Sequence, residues 1–274
     1  MRKKILELLL GITLFVWAKQ IADANLQAEL FGMAIGIAGI FLIELVDYMI
    51  MERRFLKIYW DCYKPFQRPE LRLTFSYLFR IEMNGRYLLI KSNRIENTYQ
   101  PVGGVYKYFN PEATGELIRI GAIPDNNIPN DGISEYDLRM NLTNRKKIGS
   151  FLKWFFSIKN RECDPWREFY EELVSSNILS ADKFGYIHYE LVGQHLEPIH
   201  YDKFFKVDTL KYADIYIPKF LNNSQIEEVK KLFSSSSSEF IWVTKDEIIK
   251  GISNDSKRIA EHTHKIFDTN KLHQ

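Results

Sequence analysis

The fold of this chain is best inferred from one stretch, Trp166-Arg167-Glu168-Phe169-Tyr170-Glu171-Glu172-Leu173. On an α-helix, at 100° per residue, Glu168, Glu171 and Glu172 fall on one face. The apolar members of the stretch fall on the opposite face, and the Asp-Pro pair just before it is a typical helix start. The spacing therefore predicts an amphipathic helix with a carboxylate face.

The carboxylate face has two interpretations. Three carboxylates on one turn repel one another unless a cation lies among them, and an oxygen-only cluster suits Mg²⁺ or Mn²⁺, which in turn suit phosphate substrates. Alternatively, the face is simply solvated and Arg167 neutralises it locally. The spacing alone leaves both interpretations open.

A second motif joins the first to a known family. The run from Arg167 to Leu173, Arg-Glu-Phe-Tyr-Glu-Glu-Leu, resembles the helix of the NUDIX box, which ordinarily follows a glycine loop closely. Here the matching loop, Gln100-Pro101-Val102-Gly103-Gly104-Val105, lies upstream, with 62 residues between Gly104 and Arg167. A split box behind an N-terminal membrane hairpin resembles the NUDIX effectors of bacterial cyclic-oligonucleotide antiphage (CBASS) systems.

The resemblance implies an α+β fold, an α/β/α NUDIX-like mixed sheet, preceded by a two-helix transmembrane hairpin. We expect transmembrane helices in residues 1–54, a juxtamembrane connector in 55–70, and a cytoplasmic domain in 71–274 with an insertion at about 109–160. It also implies a cyclic oligonucleotide ligand and a homo-oligomer. For an active hydrolase it implies Mg or Mn held by Glu168, Glu171 and Glu172, with Arg167 orienting them.

Three positions depart from the family pattern. Lys159 stands where the box expects a glutamate, whereas Glu162 is nearer the helix and out of register. Val174 stands where the box expects glycine. These departures bear on hydrolysis more than on the fold or on metal binding.

The glycine loop is a candidate phosphate site. Glycine gives the backbone freedom and close approach to a ligand, so the N–H groups of Gly103 and Gly104 are suited to cradle a phosphate. The alternative is a Gly-Gly turn without such a role. The residues that follow, Tyr106 to Tyr108, are expected to offer a stacking surface and a cation. Four cations are candidate phosphate contacts or, alternatively, solvated strand-face charges: Arg86, Lys91, Arg94 and Lys107.

Composition excludes some classes of function. The net charge of the 274 residues is +2, which gives no basis for binding bulk nucleic acid. Hydrophobic residues make up 46% of the chain, enough for a sizeable core. Cys62 and Cys163 lie far apart without metal-type spacing and are interpreted as reduced cytoplasmic thiols.

The N-terminus is strongly apolar and predicts two membrane spans, at residues 4–23 and 29–50. Positive charge flanks their outer ends, so the positive-inside rule predicts an inner-membrane protein with both termini in the cytoplasm. Two alternatives are a signal peptide cleaved near Ala22-Asp23-Ala24 and a soluble helical hairpin. The uninterrupted apolar run Leu30 to Ile43 argues against the second.

The small and acidic residues within these spans predict how the helices pack and where they meet the membrane surface. Gly32 and Gly36 form a GxxxG pair that allows close packing of membrane helices, unless they are ordinary membrane glycines. Glu7, Glu44 and Asp47 are costly against lipid and are expected near the interface, a partner or water.

Hydrophobic periodicity predicts further elements. Leu71 to Met83 alternates with period two and predicts a strand, followed by an Asn84-Gly85 hairpin turn and a return strand at 86–92. Turn-rich segments are expected at 111–115 and 124–132. The remaining predicted elements are helices at 146–157, 222–233, from 245 and at 255–267, and strands at 138–142, 184–192, 204–218 and 240–243.

Two functions fit the sequence, and a third is weaker. In the first, the cytoplasmic domain senses a cyclic oligonucleotide and drives assembly of the membrane hairpins, which breach the membrane. In the second, it is a Mg²⁺-dependent hydrolase of a nucleoside diphosphate derivative, with the three glutamates holding the metal. The third is a membrane-tethered housekeeping hydrolase.

Overall fold

The structure is a computed structural model that describes residues 2–125, 132 and 134–269, with side chains described from Leu9 to Ile43 and from Phe55 onward. The side chains of Glu7, Glu44 and Asp47 lie outside the described ones, as does most of the turn-rich segment predicted at 124–132. Two compact units, Met1–Lys57 and Ile58–Leu272, divide the chain.

The first unit is helical. Helix α1 covers Arg2–Ala18, and helix α2 covers Ala24–Tyr63, continuing into the second unit. Within the first unit the rings of Phe15 and Phe31 lie 5.2 Å apart.

One segment of α2, Ala24–Ile43, is long and apolar enough to cross a membrane, and almost none of it is buried within the chain. In α1 the described side chains begin at Leu9, and the apolar stretch Leu9–Ala18 alone is shorter than a bilayer requires. Length and composition therefore support the second predicted span. The first predicted span stays a prediction, and its helix α1 ends at Ala18 and not at residue 23.

The predicted GxxxG pair does not pack α1 against α2. A Cβ atom added at Gly32 or Gly36 meets no atom within 4 Å, whereas one added at Gly11 lies 3.2 Å from Ile37. Contact between the two helices is therefore made at Gly11. Close packing through Gly32 and Gly36 stays a prediction and requires a second chain.

The described residues of the second unit form six more helices and twelve strands. The helices are α3 Thr114–Ile120, α4 Ile148–Phe156, α5 Trp166–Phe169, α6 Ala181–Phe184, α7 Asn223–Phe233 and α8 Lys245–Lys250, with 3₁₀ turns at Arg145–Lys147 and Glu261–Phe267 and a π-helix at Tyr170–Val174. The strands are β1 Leu71–Phe79, β2 Glu82–Met83, β3 Arg86–Lys91, β4 Thr98–Gln100, β5 Gly103–Val105, β6 Ala122–Pro124, β7 Arg139–Leu142, β8 His188–Leu196, β9 His200–Asp202, β10 Val207–Lys219, β11 Phe240–Thr244 and β12 Arg258–Ile259.

These strands form two mixed sheets. The larger has the order β6-β7-β1-β10-β8, with β5 also paired to β1 and β9 to β10. The smaller has the order β11-β3-β4-β12, with β2 paired to β3. Strands β1 and β10 are parallel, as are β4 and β12, so the predicted mixed α/β class is confirmed. The prediction of a single sheet is replaced by two.

Strand β1 organises the layers because both of its faces are buried. On one face the ring centre of Phe75 lies 5.1 Å from that of Phe151 in α4, and the ring centre of Phe79 lies 5.4 Å from that of Phe169 in α5. On the other face Leu78 joins an apolar core with residues of the smaller sheet, including Leu89. A helical layer therefore covers one side of the larger sheet, and the smaller sheet covers the other.

Several local predictions hold, with corrected ends. The predicted long strand stops at Phe79, and Glu82–Met83 pairs with β3 in the smaller sheet through the predicted turn. Asn222 caps α7 by accepting from the backbone N–H of Gln225, and Thr244 caps α8 in a capping box. The predicted helix at 255–267 is wrong: strand β12 occupies its first part, and only a 3₁₀ helix follows.

Candidate functional site

The glycine loop forms a short strand against β1. Gly104 pairs with Tyr77, and Gly103 pairs with Leu78. Gly103 has a φ of 151°, and a Cβ added there would overlap the carbonyl oxygen of Tyr77. A side chain is therefore excluded at this position by both backbone conformation and space.

At position 104 a side chain is excluded for a different reason. A Cβ added there would overlap the carboxylate of Glu168, which lies directly against the glycine. Glu168 comes from α5, so the acidic helix rests on the glycine strand. The Glu168 carboxylate occupies the space that a side chain at position 104 would need.

A hydrogen bond fixes the second glycine to the same helix. The backbone N–H of Gly103 donates to Oε2 of Glu172 at 2.8 Å. The structure thus brings together the two segments, Gly103–Val105 and residues 166–174, that the chain separates by about sixty residues. They form one site, which we call the glycine–glutamate site, made of Gly103, Gly104, Arg167, Glu168 and Glu172.

Arg167 holds this site together. Its Nη1 lies 2.6 Å from Glu168 and 3.3 Å from Glu171, and its Nη2 donates to the carbonyl oxygen of Val105 at 3.1 Å. Its Nε lies 2.9 Å from Glu162. One planar guanidinium therefore ties the helix, the glycine strand and the segment before the helix.

Glu162 is the residue that sequence reasoning placed out of register. It accepts a hydrogen bond from the backbone N–H of Lys107 at 3.2 Å, and its own N–H donates to the carbonyl oxygen of Lys107 at 2.7 Å. Because an ordinary loop carries Glu162 back to β5, its distance along the sequence from the box helix is not the relevant spacing. The sequence already shows Glu162 as the glutamate nearest before Arg167, and the structure gives it a contact with that arginine.

The acidic helix changes its geometry within the motif. The α-helical turn Trp166–Phe169 is followed by a π-helix, which has more residues per turn than the α-helix assumed from the sequence. Glu168 and Glu172 contact the two glycines, whereas the side chain of Glu171 is 47% exposed and lies 3.3 Å from the Arg167 Nη1 that Glu168 also contacts. The three carboxylates lie near one another, since Glu168 and Glu171 both raise the pKa of Glu172, and Glu171 is the exposed member.

The glutamate carboxylates of this site are candidate metal ligands. Their carboxylate oxygens suit Mg²⁺ or Mn²⁺, and Glu172 forms no ion pair with any cationic side chain that the structure describes. No group of three or more His, Cys, Asp or Glu side chains arranged to hold a metal occurs in the described ranges 2–125 and 134–269. Metal binding by Glu168, Glu171 and Glu172 stays a prediction.

The electrostatics of Glu172 are unusual. Burial raises the pKa of its carboxyl well above the usual range, and the neighbouring Glu168 carboxylate raises this pKa further. The hydrogen bond from Gly103 acts in the opposite direction but does not cancel the burial. The carboxyl group of Glu172 therefore retains its proton to a higher pH than an ordinary glutamate does.

The predicted basic residues separate into two groups. Lys107 and Arg94 both act on Asp137, which forms a 2.6 Å ion pair with Arg139. Burial raises the pKa of Asp137 to about 6, although Arg139, Lys107, Arg167 and Arg94 all lower it. Arg139, which the sequence analysis did not select, therefore lies near Asp137 together with Lys107 and Arg94.

The other two basic candidates lie on the smaller sheet. Arg86 pairs with Thr244 at the start of α8 and lowers the pKa of Glu247 there. Lys91 pairs with Tyr99. Neither residue has a recorded contact with the glycine–glutamate site.

The expected stacking surface at Tyr106 to Tyr108 is wrong. Both tyrosines are buried, and the hydroxyl of Tyr106 donates to Asp214 at 2.6 Å. Tyr212 and Gln194 donate to the other oxygen of Asp214. These side chains form an internal polar network and present no face for a base.

The raised pKa of Glu172 predicts a pH dependence of stability. An unfolded glutamate releases its proton near pH ~4.3, whereas the folded chain retains it to higher pH. The folded state therefore binds more protons above that pH, and its stability falls as the pH rises through the folded pKa. We expect Glu172→Gln to remove this loss, raising the melting temperature at pH 8 relative to wild type by about 2–4 °C for each kcal/mol involved.

The measurement is thermal unfolding of the full chain between pH 5 and pH 8. Glu171→Gln is the matched control because its side chain is exposed. Parallel pH profiles for wild type and Glu172→Gln would show that Glu172 carries no such penalty.

Comparison with known proteins identifies one family. A family model described as "SMODS-associated NUDIX domain" matches residues 70–267, more than half of the chain. The comparison with curated proteins gave no match. One solved structure with similarity is a bifunctional NMN adenylyltransferase/ADP ribose pyrophosphatase from Francisella tularensis, complexed with AMP and a Mn ion.

That structure is 11% identical, with a TM-score of 0.27 over 88% of this chain and 50% of the other. The chain thus spans about half the length of that protein, and so low a TM-score does not establish a shared fold. The family model, by contrast, includes both the glycine strand and the acidic helix. The chain belongs to the SMODS-associated NUDIX family.

Proposed function

We propose that the chain is a membrane-bound effector of antiviral defence whose NUDIX domain senses a cyclic oligonucleotide. Ligand binding drives oligomerisation of the membrane helices and disrupts the inner membrane. The observation that carries this proposal is that the glycine–glutamate site is closed by its own side chains: Glu172 occupies the Gly103 N–H, and Arg167 is bound to Glu168.

A site closed in this way favours ligand-controlled rearrangement. A phosphate that takes the Gly103 N–H must displace the Glu172 carboxylate, because both are acceptors for the same donor. Phosphate also competes with Glu168 for Arg167, because a planar guanidinium can donate two parallel hydrogen bonds to either a carboxylate or a phosphate. Ligand binding therefore loosens the contact between glycine strand and helix, and this difference between the two states is what shifts the equilibrium.

The membrane half of the proposal rests on α2. Apolar side chains such as Met33, Ile35 and Ile40 are exposed within the chain, as expected for a segment that contacts lipid or another copy. We propose that α1 and α2 both enter the membrane, with both termini in the cytoplasm. Gly32 and Gly36 have open space around them and would pack against another protomer.

The proposal predicts an assembly that depends on ligand. We expect the full chain in detergent to increase its mass at least twofold when saturated with one member of a panel of cyclic di- and trinucleotides, measured by light scattering. Gly32→Leu with Gly36→Leu should prevent the increase because leucine holds helix backbones apart. The control is Met33→Leu with Ile40→Leu, which keeps the volume on the same helix. No change of mass with any member of the panel contradicts the mechanism.

The second candidate function is metal-dependent hydrolysis of a nucleoside diphosphate derivative. It is favoured by Glu172, whose carboxylate lies beside Glu168 without an ion-pair partner among the described residues. When bound, a Mg or Mn ion would supply charge neutralisation and an activated water. Nucleotide turnover that Glu171→Gln abolishes together with antiviral protection would favour this candidate. Protection that survives Glu171→Gln but not the glycine variants favours the sensor.

A further inference from the structure

A cavity of about 530 Å³ lies within the second unit, apart from the glycine–glutamate site. It is large enough for a mononucleotide, since small-molecule sites usually measure roughly 300–1,000 Å³. Two segments line it: the end of α2 with the connector that follows, and the turn that precedes α4. The lining residues are Cys62, Tyr63, Lys64, Pro65, Phe66, Gln67, Arg68, Pro69, Thr143, Asn144, Arg145 and Lys146.

Arg145 is the buried cation of this cavity, with only 3% of its surface exposed. Its Nη1 donates to Gln67 at 3.0 Å, and its Nη2 lies 2.5 Å from Asp208. Its Nε is buried and has no hydrogen-bond partner among the described residues. Leaving a buried charged donor unpaired is costly, so the protein satisfies this guanidinium only in part.

Positive charge dominates the lining. Lys64, Arg68 and Lys146 join Arg145, and the described lining residues include neither aspartate nor glutamate. Two carboxylates lie close by: Asp61 pairs with Lys64 at 2.6 Å, and Asp208 pairs with Arg145. Four cations against these two carboxylates leave an excess of positive charge for an anionic ligand.

An exposed aromatic residue completes the cavity. Phe66 is fully exposed and has a φ of 64°, a backbone conformation that is uncommon for a bulky residue. Tyr63 is also exposed, and Lys146 lies 6.0 Å from the centre of its ring. Flat apolar rings beside cations are the arrangement that binds a base and its phosphate together.

We propose that this cavity is a second ligand site, which binds a nucleotide with its phosphates at Arg145, Lys64 and Lys146 and its base against Phe66. Cys62 and Tyr63 end the helix that carries the apolar segment Ala24–Ile43. A nucleotide in the cavity therefore joins the end of that helix to the turn before α4. The inference is independent of the proposed function, because it uses none of the residues of the glycine–glutamate site.

The test uses the full chain in detergent, titrated calorimetrically with ADP and with inorganic pyrophosphate. Lys64→Ala with Lys146→Ala should weaken both probes about tenfold, the loss expected from two partly exposed charges bound to phosphate. Phe66→Ala should weaken ADP about tenfold and leave pyrophosphate unchanged, because a stacked base contributes roughly 1–3 kcal/mol. Phe66 makes no buried contact, so this variant keeps the fold.

Lys153→Ala with Lys231→Ala is the control, since both side chains are exposed elsewhere and the change of net charge is the same. Arg145→Lys tests the orphaned Nε, with thermal unfolding as the check that it folds. Unchanged affinity in the Lys64→Ala, Lys146→Ala variant overturns the proposal. So does binding of phosphatidylglycerol nanodiscs, lost in that variant, with no heat from ADP or pyrophosphate, because the anion would then be a lipid headgroup.

Discussion

Arg167→Met is expected to destabilise the second unit by about 3 kcal/mol, because removing one member of a largely buried ion pair leaves its partners uncompensated. Glu162 and Glu168 are both mostly buried beside the guanidinium. Methionine keeps much of the volume but offers no donor. The measurement is chemical unfolding of the full chain, compared with wild type at the same pH.

The control for this variant is Arg119→Met. Arg119 is 78% exposed, and its recorded ion pair is with Glu116, which is 42% exposed. Exposed pairs of this kind contribute about 0–1 kcal/mol. Equal losses of stability in the two variants would mean that Arg167 is an ordinary surface charge and does not organise the site.

Gly104→Ala is expected to cost about 2 kcal/mol, in the range for inserting a methyl group into a packed site. The new Cβ would overlap the Glu168 carboxylate, so the acidic helix must move or its ion pair with Arg167 must break. Gly115→Ala in α3 is the control, since its Cβ meets nothing within 4 Å. Alanine at that helical position should be neutral or stabilising.

The local elements of this fold could be predicted because each depends on near neighbours in sequence. The alternation from Leu71, the Asn84-Gly85 turn and the cap at Thr244 all act within a few residues. Pairing between strands could not be predicted in the same way. Glu82–Met83 continues the alternation of β1 but pairs with β3, because the chain changes sheet after Phe79.

The candidate site shows the same limit. The residues Gly103, Gly104, Arg167 and Glu168 could be selected from their motifs, and the structure brings them together. Which glutamates contact the glycines could not be predicted, because that depends on how the glycine strand covers Glu168 and Glu172 and leaves Glu171 exposed.

Burial decided the remaining differences. Tyr106 has an aromatic ring that could stack on a base, yet the residue is buried and its hydroxyl donates a hydrogen bond to Asp214, 108 positions later in the chain. Glu162 was discounted for its register, although a loop returns it to Lys107. Both errors come from contacts between distant parts of the chain, which the order of residues alone does not specify.

The most direct test of the central claim is a double-mutant cycle between Gly104→Ala and Glu168→Ala, measured as the free energy of unfolding of the full chain. If the glycine strand and the acidic helix form one site, Glu168→Ala removes the carboxylate that the new methyl group would overlap. We predict that Gly104→Ala costs about 2 kcal/mol in the wild type and close to nothing in the Glu168→Ala background. An equal cost in both backgrounds would show that the two segments do not meet.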